Sequence, residues 1–273
     1  MIDILLATYN GEKYLQEQLD SLLQQSFQDF QVLVRDDGSN DKTIELIEKN
    51  IQKYPDKFKL IKDEMGNLGS SRSFMKLLEY SKSEFIMFCD QDDVWLPNKI
   101  ELSLNKIIEL EKEYTSNTPL LVFSDLKVVD ENLNTIKNSF WEYQKLMPNI
   151  VNNWKKLLSQ NVITGCTIII NKQANNHLLP FSLDIMIHDH WIGVHIAKIG
   201  KINYLKEQTI LYRQHGCNVA GAHSYDLDYI KKKIFDIKNI LNFQYKASKH
   251  FKDVNILELI YYKSILSIKR FIK

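Results

Sequence analysis

Three carboxylates fall within four positions in Asp90-Gln91-Asp92-Asp93. Anions at that density repel one another unless a cation or a set of donors offsets them. Their hard oxygens suit Mg²⁺ or Mn²⁺ better than zinc. The competing reading is a solvated turn whose acids cap the following helix. Two further polar clusters are Thr8-Tyr9-Asn10-Gly11 and Asp36-Asp37-Gly38-Ser39. A third, His188-Asp189-His190-Trp191, sets a carboxylate between two imidazoles. It is not a convincing zinc site: adjacent residues cannot easily share one tetrahedral ion, and no Cys/His pair is spaced to complete it.

The elements that must position these groups are legible from periodicity. Phe85-Ile86-Met87-Phe88-Cys89 is a short continuous apolar run, the pattern of a strand buried on both faces. Residues 2–7, 30–35 and 58–61 read as three earlier strands. Between them lie helical patterns at Leu15, Leu19, Leu22 and Leu23, then Ile44, Ile47 and Ile51, then Phe74, Leu77 and Leu78. Strands alternating with helices predict crossover units and a largely parallel sheet. Thr8 and Asn10, Asp36 and Asp37, and Asp90 and Asp92 each follow a strand, so a parallel sheet gathers them on one rim. In open α/β sheets that carboxyl-end rim is where ligands bind.

Pro97 stands near the start of the next helix, where its missing N–H costs nothing. Residues 120–123 read as a strand ending at Ser124-Asp125, and 162–170, with Gly165 and Cys166 inside, as another. The stretch 131–148 is polar and aromatic without clear periodicity, which suggests a lid or acceptor loop. His188-Asp189-His190-Trp191 leads into a helix with Val194, Ala197 and Ile199. Residues 209–216 form a strand leaving through a polar turn at His215.

The 273 residues are 44% hydrophobic and 25% charged, as in an ordinary soluble protein. A net charge of +1 argues against whole-surface attraction to nucleic acid. The charge is uneven: residues 225–273 hold 11 Lys+Arg against 5 Asp+Glu. Those residues read as a pair of basic amphipathic helices, one with Ile230, Ile234, Ile237 and Leu241. The other carries Leu257, Ile260, Tyr261, Ile265, Ile268 and Ile272. Such a hairpin either packs its apolar side on the domain or attaches to an anionic membrane surface. Cys89, Cys166 and Cys217 are widely spaced, which fits free thiols in a reducing compartment. There is no signal-peptide pattern or spanning run. The expectation is a cytoplasmic protein, with peripheral attachment to the inner face of the cell membrane as an extension. The division expected is a catalytic domain over 1–224 (1–95 for the nucleotide sugar, 96–224 for the acceptor) and the helices of 225–273.

Four segments in order resemble family 2 glycosyltransferases of the GT-A fold: Ala7-Thr8-Tyr9-Asn10-Gly11-Glu12, Val34-Arg35-Asp36-Asp37-Gly38-Ser39, Asp90-Gln91-Asp92-Asp93-Val94-Trp95 and Tyr212-Arg213-Gln214-His215-Gly216. The resemblance runs from residue 2 to about 221. Within the family, the Asp-Gln-Asp-Asp-Val-Trp wording and the His-Asp-x-Trp segment look most like bacterial polysaccharide rhamnosyltransferases. The fold implied is α/β, a Rossmann-like, mostly parallel mixed sheet flanked by helices. The resemblance implies that Ala7, Thr8, Tyr9 and Asn10, with Asp36 and Asp37, surround the nucleoside, a carboxylate accepting the N3–H of uracil or thymine. Arg72 matches a basic residue near the base or phosphates, and Gln91 and Arg213 join the donor site. Asp90 and Asp92 form the Asp-x-Asp pair that holds Mn²⁺ or Mg²⁺, assisted by His215. Asp189 matches the catalytic base, and Trp191 offers a stacking face to a sugar. The implied partners are a nucleoside-diphosphate sugar, dTDP-rhamnose first and UDP-hexose or UDP-N-acetylhexosamine next, and a glycan or lipid-linked glycan acceptor.

The chemistry coheres without the family name. Displacing a nucleoside diphosphate requires neutralising charge that grows on the leaving oxygens, which a divalent ion does as a Lewis acid. A sugar hydroxyl is a poor nucleophile, and a carboxylate in reach takes its proton as attack proceeds. One in-line attack inverts the anomeric centre. Asp189 as a helix N-cap, Asp36 as a turn support and His215 as a satisfied surface histidine are the plain alternatives. A nucleotidyltransferase or a dinucleotide-dependent oxidoreductase would need a glycine-rich loop after the first strand, and the turn here has a single glycine. A non-catalytic carbohydrate-binding protein on a degenerate transferase fold is the alternative from another class.

Overall fold

Strand β1 (Ile2–Thr8) lies in parallel between β2 (Phe30–Asp36) and β4 (Phe85–Cys89), and β3 (Phe58–Leu60) extends the sheet beyond β2. These come from a computed structural model that describes residues 1–181, 185–216, 221–222, 224–225 and 235–273. Helices α1 (Leu15–Leu23), α2 (Thr43–Lys53) and α3 (Ser70–Tyr80) make the crossovers. The register sets Thr8 opposite Asp36 and Leu6 opposite Cys89, so the polar loops leave on one rim as expected. Buried Asp3, inside β1, accepts from the hydroxyls of Ser81 and Ser83 and so ties the α3–β4 turn to the sheet.

Beyond β4 come β5 (Val94–Trp95), α4 (Lys99–Tyr114), β6 (Leu120–Val129), β7 (Thr135–Lys137), α5 (Phe140–Tyr143) and α6 (Trp154–Ser159). They are followed by β8 (Ile169–Asn171), α7 (Lys172–Asn175), α8 (His188–Ile199) and β9 (Lys201–Arg213). The strand order is β3-β2-β1-β4-β8-β6-β9-β5, with β7 on β6. β8 runs antiparallel to both β4 and β6, while β9 is parallel to β6. The fold is therefore a mixed α/β sheet flanked by helices. Alternation along β1 separates its two faces. Ile2, Ile4 and Leu6 pack with α1, α2 and α4, whereas Leu5 joins α3, α6 and α8 on the other side.

Several local readings need correction. Residues 162–170 are not one strand: Gly165–Thr167 forms a 3-10 turn, and the pairing resumes only at Ile169. The turn packs closely on α8: a Cβ on Gly165 would lie 2.7 Å from His188 Nε2. β6 does not end at Ser124-Asp125 but runs through to Val129. Asp125 is accommodated there because Ser139 Oγ donates to it at 2.5 Å and the Trp141 N–H at 3.2 Å. The same bonds anchor 131–148, which contains β7 and α5 rather than aperiodic chain. His188 to Trp191 form the first turn of α8 instead of preceding it.

The C-terminal pair, α9 (Ile237–His250) and α10 (Ile256–Ile272), packs on the α6–α8 side through Ala247, Phe251, Val254, Leu259 and Leu266. On α10 this is not the face periodicity picked: Leu257, Tyr261, Ile268 and Ile272 point to solvent. Ile230 and Ile234, read as part of the preceding helix, lie outside the described residues, as does Cys217. Cys89 and Cys166 are buried free thiols.

The passage from α8 into β9 runs against Pro119. A Cβ on Gly200 would meet the Pro119 carbonyl oxygen at 1.9 Å, and that same oxygen accepts the Lys201 N–H at 2.9 Å. Backbone cannot yield as a side-chain tip can. Gly200→Ala is therefore expected to destabilise the fold by about 3 kcal/mol, read as a lower urea midpoint at unchanged m-value. An unaltered midpoint would contradict the packing described.

Candidate active site

The first two polar loops lock to each other before any ligand is considered. Thr8 Oγ1 donates to Asp36 Oδ1 at 2.8 Å, and Asp36 Oδ2 accepts the N–H groups of Gly38 (3.1 Å) and Ser39 (2.8 Å). Asp36 is thus the turn's organiser. Asp37 is buried and takes three donors: Arg35 Nη1 at 2.5 Å, and the N–H groups of Leu68 and Gly69, each at 2.7 Å. Gly69 sits at φ +77°, a conformation that glycine adopts without strain. Arg35 also forks onto Asp63 (2.7 and 3.0 Å), whose acidity that guanidinium strengthens. Arg35 lies inside the second motif, and its part shows only in the structure. It folds the 63–69 loop against the rim, carrying the exposed Arg72 at the start of α3.

Gln91 grips Tyr9 as a strand would, its amide oxygen accepting the Tyr9 N–H (2.8 Å) and its Nε2 donating to the Tyr9 carbonyl (3.0 Å). Glycine at position 11 leaves room for the Gln91 side chain, which a Cβ there would meet at 2.4 Å. Gln91 therefore joins the acid loop to the first loop, and it leaves Ala7 and Tyr9 partly open and Asn10 exposed at φ +47°.

In the acid loop, His215 Nε2 lies 2.8 Å from Asp92 Oδ2, which brings the two together as the sequence suggested. Asp93 points inward. One of its oxygens accepts the Arg213 N–H at 3.0 Å; the other is buried without a hydrogen-bond partner among the described residues. Ligand atoms of Asp90, Asp93 and Cys166 lie within 4.8 Å of one another. Asp90 is raised to about pKa 7 by burial, then by the charges of Asp92 and Asp189. Asp93 is pushed well above the carboxylate range by burial and by Asp92 and Asp90. Beneath them Lys99 is fully buried over the Trp95 ring (4.5 Å), and burial lowers it to about 8. Two repelling carboxylates beside a thiol can hold a divalent ion, but the residues gathered with Asp90 are Asp93 and Cys166 rather than the expected Asp92 and His215.

Asp189 lies in the first turn of α8, whose N-cap is Ile187, so it is not the capping residue. Its carboxylate accepts Asn161 Nδ2 at 3.0 Å and has the N–H groups of His190 and Gly165 near it. Burial nevertheless outweighs these donors and lifts it to about 7. Its charge is one of those that raise Asp90. The link is the Gly165–Thr167 turn, which touches Asp189 through Gly165 and the acid loop through Cys166. Residues 161–166 carried no motif, and only the structure reveals their part.

Two flanking residues depart from expectation. Trp191 is buried, its indole N–H on the Leu178 carbonyl at 3.2 Å, and so presents no face to a sugar. Arg213 is also buried, donating to the carbonyls of Asp92 (2.8 Å) and Glu131 (2.7 Å) and pairing with Glu17. It braces the acid loop rather than reaching outward to a phosphate. His188 stacks on Phe74 at 4.5 Å and His190 on Phe243 at 5.7 Å. Burial holds their pKa values near 3 and 4, so both stay neutral and structural.

Residues 3–179 match the family described as glycosyl transferase family 2. Among curated proteins, the dTDP-rhamnosyl transferase RfbG of Shigella flexneri is 26% identical over 231 residues, covering 80% of this chain and 74% of its own length. Among solved structures, S. aureus TarS 1-349 in complex with UDP-GlcNAc superposes with a TM-score of 0.58 at 18% identity. That match covers 99% of this chain and 72% of the other. The mannosyltransferase PcManGT from Pyrobaculum calidifontis, in complex with GDP-Man and Mn²⁺, gives 0.64 at 14% identity, again over 99% and 72%.

Proposed function

The chain belongs to glycosyl transferase family 2, and from that premise we propose an inverting transferase that moves a sugar from a nucleoside-diphosphate donor to an acceptor hydroxyl. The observation that carries this reading is the meeting of Asp189 with the acid loop across the Gly165–Thr167 turn: Gly165 lies against Asp189, and Cys166 next to it clusters with Asp90 and Asp93. Asp90 and Asp92 would hold Mn²⁺ or Mg²⁺, with His215 on the outer oxygen of Asp92. When bound, the ion supplies Lewis-acid neutralisation of the leaving diphosphate. Asp189 takes the proton of the attacking hydroxyl, held in place by Asn161 and Gly165. Tyr9 and Asn10, kept open by Gln91, and Arg72 border the donor; Ala7, Thr8, Asp36 and Asp37 shape its floor. A single in-line attack with Asp189 as the base would invert the anomeric centre.

For the donor we favour dTDP-rhamnose, supported by the named activity of the Shigella flexneri relative. UDP-N-acetylhexosamine, as in the TarS complex, is next. The acceptor is a glycan or lipid-linked glycan. Incubation with each sugar nucleotide plus Mn²⁺ tests the reading: metal-dependent release of nucleoside diphosphate, fastest with dTDP-rhamnose, is the expected result. Binding of sugar without any turnover would instead support a carbohydrate-binding protein on a degenerate fold.

A further inference from the structure

An amphipathic helix docked on a domain normally turns its apolar side inward and a polar side to water. The C-terminal pair breaks this rule. While Ala247, Phe251, Leu259 and Leu266 face the core, nine of the seventeen large apolar side chains exposed among the described residues lie between Phe235 and Ile272. On α10 the outward residues Leu257, Tyr261, Ile268 and Ile272 recur at helical spacing and form one stripe, with Leu257 75% and Ile272 77% exposed. On α9, Ile237, Leu241 and Tyr245 recur every fourth position, with Phe235 before them at 89%.

The stripes are edged by cations of one pattern. Lys238, Lys246 and Lys269 each follow a stripe residue directly and are exposed, one turn-step round the helix from it. A lysine so placed lays its stem along apolar surface and keeps its ammonium free to meet phosphate. No described helix is long and apolar enough to cross a membrane. We propose that this face lies flat on an anionic lipid surface, the two apolar stripes entering the headgroup layer and the lysines engaging lipid phosphates. A second copy of the chain fits less well, because a two-fold contact would set the same lysines against one another.

The opposite side of the pair supports the α8 turn that carries Asp189. Phe243 stacks on His190, and Glu258 pairs with Lys155 of α6 at 3.0 Å, just ahead of the Asn161 that holds Asp189.

The test is flotation of the full chain with vesicles of phosphatidylcholine alone or with about 30 mol% phosphatidylglycerol. Binding is expected only to the anionic vesicles and should be reversed in high salt. Leu257→Ser with Tyr261→Ser and Ile268→Ser should abolish it. Lys246→Gln with Lys269→Gln should weaken it roughly tenfold or more. All these positions are exposed, so thermal midpoints should hold, and nucleoside-diphosphate release, assayed separately, should be unchanged. No binding to anionic vesicles, binding that both variants retain, or a solution dimer that the serine substitutions dissociate would each overturn the proposal.

Discussion

Asp189→Asn is expected to reduce transfer by about a thousandfold while leaving donor affinity unchanged. The asparagine is nearly isosteric and can still accept from Asn161, so the α8 turn keeps its place. What is lost is the ability to take a proton. The wild-type carboxylate, lifted to about 7 by burial, must ionise before it can act, so kcat/KM should rise with pH through about 7. Stability should run the other way. A carboxyl whose folded pKa lies above its unfolded 3.8 binds its proton more tightly in the fold, and that stabilisation is lost as pH climbs through about 7. Asp189→Asn should therefore flatten the fall in stability between about pH 4 and 7. It should match or exceed the wild type in thermal midpoint at pH 8. Full turnover in the variant would remove Asp189 from the reaction; a collapsed midpoint would make its role structural.

Asp92→Ala, or chelation of divalent ions, is the second large effect. Donor binding should weaken by at least about 100-fold in the variant, and added Mn²⁺ should no longer improve it. The physical reason is crowding. Asp90, Asp92, Asp93 and Asp189 compete for few donors, and Asp90 and Asp93 hold protons above the normal carboxylate range without a cation to compensate them. Because an ion binds the ionised forms, Mn²⁺ should raise the wild-type thermal midpoint more at pH 8 than at pH 5. Isothermal titration with the nucleoside diphosphate, with and without Mn²⁺, measures the first expectation and thermal shift the second. Equal donor affinity with and without metal in the wild type would count decisively against this site.

Local periodicity carried the first half of the fold because parallel strands buried on both faces read as near-continuous apolar runs, Asp3 and Arg35 being held inside by their own partners. Phe85–Cys89 could hardly be anything else, and the acids after it had to leave the sheet. It failed where burial was bought by a distant partner. Asp125 stays inside β6 because Ser139 and Trp141 come back to it. Residues 162–170 turn at Gly165, where they pack closely on His188. On α10, spacing alone marked an apolar stripe but left its direction open, since two such stripes share that helix and only packing chooses between them.

By itself, then, the order of residues determined the strand-and-helix alternation, the gathering of Thr8, Asp36 and the acid loop on one rim, and the type of chemistry those acids serve. Tertiary structure decided which carboxylate faces which neighbour. Asp93 turns inward to the Arg213 backbone, Asp92 outward to His215, and Asp189 reaches the cluster through Gly165. It also took Trp191 and Arg213 out of the binding list by burying them. The reason is range: secondary structure reads the identity of neighbours within a few turns, whereas the partner and burial that set a carboxylate's charge arrive from segments far along the chain.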